Sequence, residues 1–136
     1  MIEREIITVE SIAVEPSEGC SLSAPLLVRL RYRLNEPVAA ARWRIVYEAD
    51  FINRRVIIPL YSAPESDLSP GVHTLEHRVA EVPIAGVKEK YLLQVGLLKL
   101  EFNGAEGNLA SVNLVTQVSR DPSTGTILRN IMSPLE

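Results

Sequence analysis

Thiol chemistry has almost nothing to work with in this chain. Of its 136 residues only Cys20 is a cysteine, so no disulfide can close within it, which suits a reducing compartment. Two histidines, His73 and His77, are fewer than the three or four ligands a zinc site takes. Their i, i+4 spacing would pair them on a helix. The local alternation reads instead as a strand, where they point the same way about 13 Å apart end to end. Aromatics are scarce at 5%, and Tyr32, Trp43 and Tyr47 fall on the apolar side of their segments, leaving little to stack on bases. The pI of about 5.5 lies far below the ~9 of dedicated nucleic-acid binders, so nucleic acid is disfavoured as a partner. No run approaches the ~20 apolar residues that span a bilayer, and MIEREIITVE lacks the apolar core of a secretory signal. The expectation is a soluble intracellular protein with no membrane role. Also missing are a glycine-rich phosphate loop, a Gly-x-Ser-x-Gly elbow and any paired-carboxylate motif. Cys20, in EGCSLS, reads as a small residue tucked under a loop. No enzyme, cofactor or metal is expected.

What the chain does have is alternation. Strands are expected over 6–14, 26–34, 41–48, 56–61, 73–79, 91–102 and 109–118, each with apolar residues at every second position. Nine prolines sit mainly in the connections. Asn35-Glu36-Pro37 is expected to reverse the chain tightly, and Asn103-Gly104 with Gly107-Asn108 marks a hairpin. Short strands of this number and spacing predict an all-β fold, an immunoglobulin-like antiparallel β-sandwich, occupying residues 1–119 as one domain. Beyond it, Ile127, Leu128, Ile131 and Met132 form an apolar stripe at helical spacing. Residues 120–136 are therefore expected to hold a short C-terminal helix or turn that docks on the sandwich or on a partner.

The charge pattern is uneven. Net charge is only -3, yet Arg29, Arg31, Arg33, Arg42, Arg44, Arg54 and Arg55 crowd one stretch. In VRLRYRL and ARWRIVYE the arginines occupy the positions opposite Val28, Leu30, Tyr32, Trp43 and Ile45. Arg29, Arg31, Arg33, Arg42 and Arg44 are thus expected on one outward face of two neighbouring strands. A solvated face kept charged for solubility is one reading; because like charges opposite one another across strands are destabilising, an anionic counterpart is the other. Glu3, Glu5 or Glu10 would supply it internally; an acidic protein surface would supply it externally.

Four stretches together carry a family likeness. ARWRIVYEAD, SPGVHTLEHRVAEVPIAGV, YLLQVGLLKLEFNGAEG and ILRNIMSPLE follow in order over most of residues 6–132, and the series resembles the conserved core of the anti-silencing function histone chaperones. The resemblance implies a non-enzymatic, nuclear, chromatin-associated protein that binds core histones. It places an exposed valine at Val95 and acidic contacts at Glu48 and Asp50. The chain departs from that family after the hairpin, where it reads Asn108-Leu-Ala-Ser-Val-Asn-Leu-Val115, and at the five arginines, which replace acidic positions. The competing expectation is a cytoplasmic scaffold or adaptor subunit of a non-chromatin assembly, gripping an acidic partner through the arginine face. Oligomeric state is left open.

Overall fold

The computed structural model describes residues 6–51, 54–84 and 86–132. The fold is all-β and antiparallel. Strands β1 (Ile7–Glu15), β3 (Leu26–Leu34) and β7 (Gly71–Val79) form one sheet in the order β1-β3-β7. The larger sheet runs β2-β10-β9-β8-β4-β5, with β2 at Cys20–Ser21, β4 at Val38–Phe51, β5 at Arg54–Ser62, β8 at Gln94–Gly104, β9 at Gly107–Arg120 and β10 at Ile127–Ile131. A short β6 (Ser66–Leu68) pairs with β4, and one helical turn, α1 (Glu89–Leu92), precedes β8. No helix among the described residues is long and apolar enough to cross a membrane.

Alternation decides which side of each strand is covered. In β3, Leu26, Val28, Leu30, Tyr32 and Leu34 are buried, while Arg29, Arg31 and Arg33 between them are exposed. In β4, Trp43 and Ile45 are buried on the facing layer, and β8 contributes Leu98, Leu100 and Phe102 to the same cluster. Side chains of this kind each stabilise the fold by ~1.5–3 kcal/mol when fully buried. An aromatic trio joins the layers. Tyr32 meets Trp43 edge-on at 5.2 Å between ring centres, and Trp43 lies 4.9 Å from its cross-strand partner Phe102. A smaller cluster, Leu22, Tyr47, Ala49, Ile58, Leu92 and Val118, closes the other end. The β8–β9 hairpin turns between Gly104 and Gly107, and Gly107 supplies the positive φ of 118° that other residues avoid.

Two expectations are corrected. First, β3 and β4 do not form a hairpin. The link Asn35-Glu36-Pro37 carries the chain from one sheet to the other, so β3 pairs with β1 and β7, and β4 pairs with β5 and β8. Arg29, Arg31 and Arg33 therefore face out from the smaller sheet, and Arg42 and Arg44 from the larger one. Secondly, residues Ile127–Ile131 are a strand rather than the expected helix or turn. β10 is paired to β9 from Ile127↔Arg120 to Ile131↔Thr116, and to β2 at Leu128↔Ser21 and Arg129↔Cys20.

Arg129 explains why that strand is held. It is 2% exposed, and its guanidinium donates to four carbonyls: Leu22 at 3.1 Å, Ala24 at 2.8 Å, Pro16 at 3.0 Å and Pro25 at 3.0 Å. Those carbonyls lie in the irregular 16–25 stretch, which lacks a full strand ladder to satisfy them. One planar fork of five donors replaces it. Burial lowers the Arg129 pKa from its ordinary value.

Candidate functional site

The outer face of an antiparallel sheet ordinarily alternates to polar residues. On the larger sheet one row of that face departs from the rule. Register places Ile57 of β5 opposite Glu48 of β4, Glu48 opposite Leu97 of β8, and Leu97 opposite Val115 of β9. The row ends where the Met132 amide donates to the Val115 carbonyl at 2.9 Å. Ile57, Val115 and Met132 are 52%, 40% and 39% exposed, and Val95, two residues from Leu97 along β8, is 50% exposed. Four of the five exposed large apolar side chains among the described residues thus gather on one face. The fifth, Val72, lies on the other sheet.

Gly96 shapes this face from beneath. It stands opposite Ala49, and the Tyr47 ring lies over it. A Cβ added there would come within 2.6 Å of Tyr47 Cζ and 3.1 Å of the Glu48 carbonyl oxygen, and would run into the Tyr47 hydroxyl. Glycine between Val95 and Leu97 therefore lets the buried tyrosine press against β8 while both neighbours point to solvent. Burial pushes the Tyr47 phenol up to about 12, with the Arg129 charge opposing the rise.

Within the apolar row stands one carboxylate. Glu48 is 7% exposed; its Oε1 accepts from Arg55 Nε at 2.8 Å and its Oε2 lies 3.3 Å from Lys99 Nζ. A buried carboxylate needs such partners. Glu48 is therefore a neutralised anchor inside the face, not the exposed acidic contact that the resemblance implies. Asp50 lies in β4, but its side chain is outside the described residues. Arg44 stands opposite Glu101, and Arg42 opposite Asn103, on the same side of the sheet. Among the described side chains of this face, Arg42, Arg44, Arg55 and Lys99 outnumber Glu48 and Glu101, and the surroundings of the apolar row carry a cationic surplus.

The other arginines are already engaged. Glu10 lies 3.2 Å from Arg31 and 3.6 Å from Arg33, while Arg29 lies 3.9 Å from Glu15 and 3.8 Å from Glu76. Exposed pairs of this kind are each worth ~0–1 kcal/mol, yet together they match three cations with three carboxylates. Glu10 is one of the internal counter-ions expected from the sequence; Glu3 and Glu5 lie outside the described residues.

Of the residues singled out from the sequence, Val95, Glu48, Arg42 and Arg44 share the face of the larger sheet, and Arg29, Arg31 and Arg33 do not. Ile57, Leu97 and Val115 were missed as site residues, and Met132 was singled out only within the C-terminal apolar stripe. The parity of Val95, Leu97 and Lys99 along β8 was the signal for Leu97; the others depend on register. His73 and His77 line the inner side of β7, stacked on Tyr32 at 5.6 Å and Tyr61 at 3.6 Å. Cys20 is half-buried in β2 at the end of the larger sheet, its Sγ 3.8 Å from the Pro16 carbonyl. Comparison with protein-family models and with curated proteins finds no match for this chain.

Proposed function

We propose that this chain is a non-enzymatic protein-binding module of immunoglobulin-like build, working through the solvent face of the larger sheet. The observation that carries the reading is the apolar row Ile57–Leu97–Val115–Met132 with Val95 beside it, on a face where alternation should have left polar residues. Gathered exposed apolar side chains mark interaction surfaces. Covering them removes apolar area from water at about 25 cal/mol per Å². The cationic surplus then selects among partners: an amphipathic segment with apolar side chains flanked by carboxylates fits best. This is the acidic-partner reading, moved from the smaller sheet's arginines to the larger sheet.

A histone-chaperone-like role is the second reading. It is favoured by Val95, 50% exposed at the position where the resemblance places the histone-binding valine. Nuclear localisation would follow from that reading and a cytoplasmic one from the first.

Pull-downs in about 0.3 M salt, which shortens screening below the ~8 Å of physiological ionic strength, separate the two. Retention of purified core histones by the wild type and its loss in Val95→Arg supports the histone reading. Absence of histone binding, with an acidic amphipathic partner retained by the wild type and lost in Val95→Asp, supports the first.

A further inference from the structure

Among the described residues, three long strands end a sheet: β1 and β7 in the smaller, β5 in the larger. Open edges template unwanted pairing, and proteins blunt them with bulges, prolines and lysines. β1 carries a register shift between Val9 and Ser11 and runs into Pro16. β5 contains Pro59 and a shift opposite Ile45/Val46. β7 has none of these devices. It pairs with β3 without a break from Leu34↔Gly71 to Leu26↔Val79 and contains no proline or lysine. No strand among the described residues covers its other edge.

The charges on β7 have a matching arrangement. Thr74, Glu76 and Arg78 are exposed on its outer face, and His73, Leu75, His77 and Val79 alternate inward. Arg78 makes no ion pair among the described residues, and Glu76 reaches only Arg29, at 3.8 Å with 64% of its side chain exposed. An acid and a base two residues apart on one face are self-complementary in an antiparallel pair.

We propose that β7 pairs antiparallel with β7 of a second copy of this chain, across a twofold axis at His77. Glu76 then stands opposite Arg78 of the second copy, and by symmetry Arg78 stands opposite Glu76, so the charge pair is made twice. On the inner side Leu75 meets Val79. Two three-stranded sheets become one of six strands, and residues 75–79 of each open edge are covered. A register centred on Leu75 would instead place Arg78 opposite Val72 and forfeit both charge pairs. Tyr61, stacked on His77 at 3.6 Å with the rings 13° apart, keeps the axial residue in place from the β5 side. This surface is separate from the face of the larger sheet, so dimerisation leaves Val95 and its neighbours uncovered.

Sedimentation velocity from about 5 to about 500 µM tests it, since an edge contact of this size belongs at the weak end of interfaces, with Kd in roughly the tens of micromolar. Wild type is expected to pass from monomer to dimer. Glu76→Arg and Arg78→Glu each set two like-charged pairs across the axis and are expected to weaken self-association about tenfold or more. The double variant Glu76→Arg/Arg78→Glu restores both pairs with their order reversed and is expected to return to within about threefold of wild type. Far-UV circular dichroism confirms that each variant is folded. A chain monomeric throughout, a dimer indifferent to the single reversals, a double variant as weak as the singles, or a dimer broken by Val95→Asp instead would each overturn the proposal.

Discussion

Replacing Arg129 by methionine removes a buried cation while keeping most of the side chain's apolar volume, and it isolates what that cation does. In the wild type its two terminal nitrogens serve four carbonyls at 2.8–3.1 Å, those of Pro16, Leu22, Ala24 and Pro25. Methionine serves none. An unsatisfied buried acceptor costs ~1–3 kcal/mol, and water can reach some of these, because three of the four bonds are only part-buried. Taking the low end for each gives about 4 kcal/mol. Relief from holding a charge away from water opposes this, so the net loss should be about 3 kcal/mol. That is a large share of the ~5–15 kcal/mol that stabilises an ordinary domain. Urea unfolding followed by the fluorescence of Trp43, the sole tryptophan and 4% exposed, reads it directly. With an m-value near 2 kcal/mol/M the midpoint should fall by roughly 1.5 M. Arg129→Lys, which keeps the charge but not the planar fork, should recover only part of the loss. A methionine variant within about 1 kcal/mol of wild type would refute the reasoning and return residues 127–131 to the status of a loosely docked tail.

Gly96→Ala should cost about 1–2 kcal/mol despite removing a flexible glycine, because its Cβ collides with the buried Tyr47 ring; thermal unfolding checks it, and no loss would mean the ring moves freely. Tyr47→Phe should be near neutral at pH 7, since the Tyr47 hydroxyl has no hydrogen-bond partner among the described residues. At alkaline pH the variant should gain. The folded phenol's pKa is raised to about 12 from 10.0, so the unfolded chain loses its proton first, and the wild type loses stability as pH rises from 10 towards 12. At pH 11 the difference amounts to about 1.4 kcal/mol in favour of phenylalanine, measurable by urea unfolding at pH 8 and pH 11.

Strand existence was legible from local alternation, because burying one side of a pleated strand requires apolar residues at every second position. VRLRYRL lies within β3, whose bounds match those expected, Leu26–Leu34. Partner choice was not legible. Alternation says which side of a strand is greasy and nothing about its neighbours, so a tight turn at Asn35-Glu36-Pro37 and a crossing between layers look alike. The five arginines were accordingly read as one face. β10 was misread for a different reason. Its inward positions are Ile127, Arg129 and Ile131, and a charged residue in the middle breaks the apolar alternation that signals a strand. The remaining apolar positions, 127, 128, 131 and 132, then imitate helical spacing. Only the carbonyls of the 16–25 stretch, brought close by folding, make an inward arginine tolerable. At the candidate site, the local positions of Arg42 and Arg44 were readable from alternation and those of Val95 and Glu48 came only from the family resemblance, but the apolar row was not readable. It is assembled from β5, β4, β8, β9 and the end of β10, and it exists only once their registers are set.

The binding role of the larger sheet's outer face is tested most directly by quantitative affinity purification of three forms side by side: wild type, Val95→Asp, and Val72→Asp as a control at the exposed valine of the smaller sheet. Wild type and the Val72 variant should retain the same protein partners, and the Val95 variant should lose them while staying folded. Identical partners on all three would show that the apolar row around Val95 grips nothing.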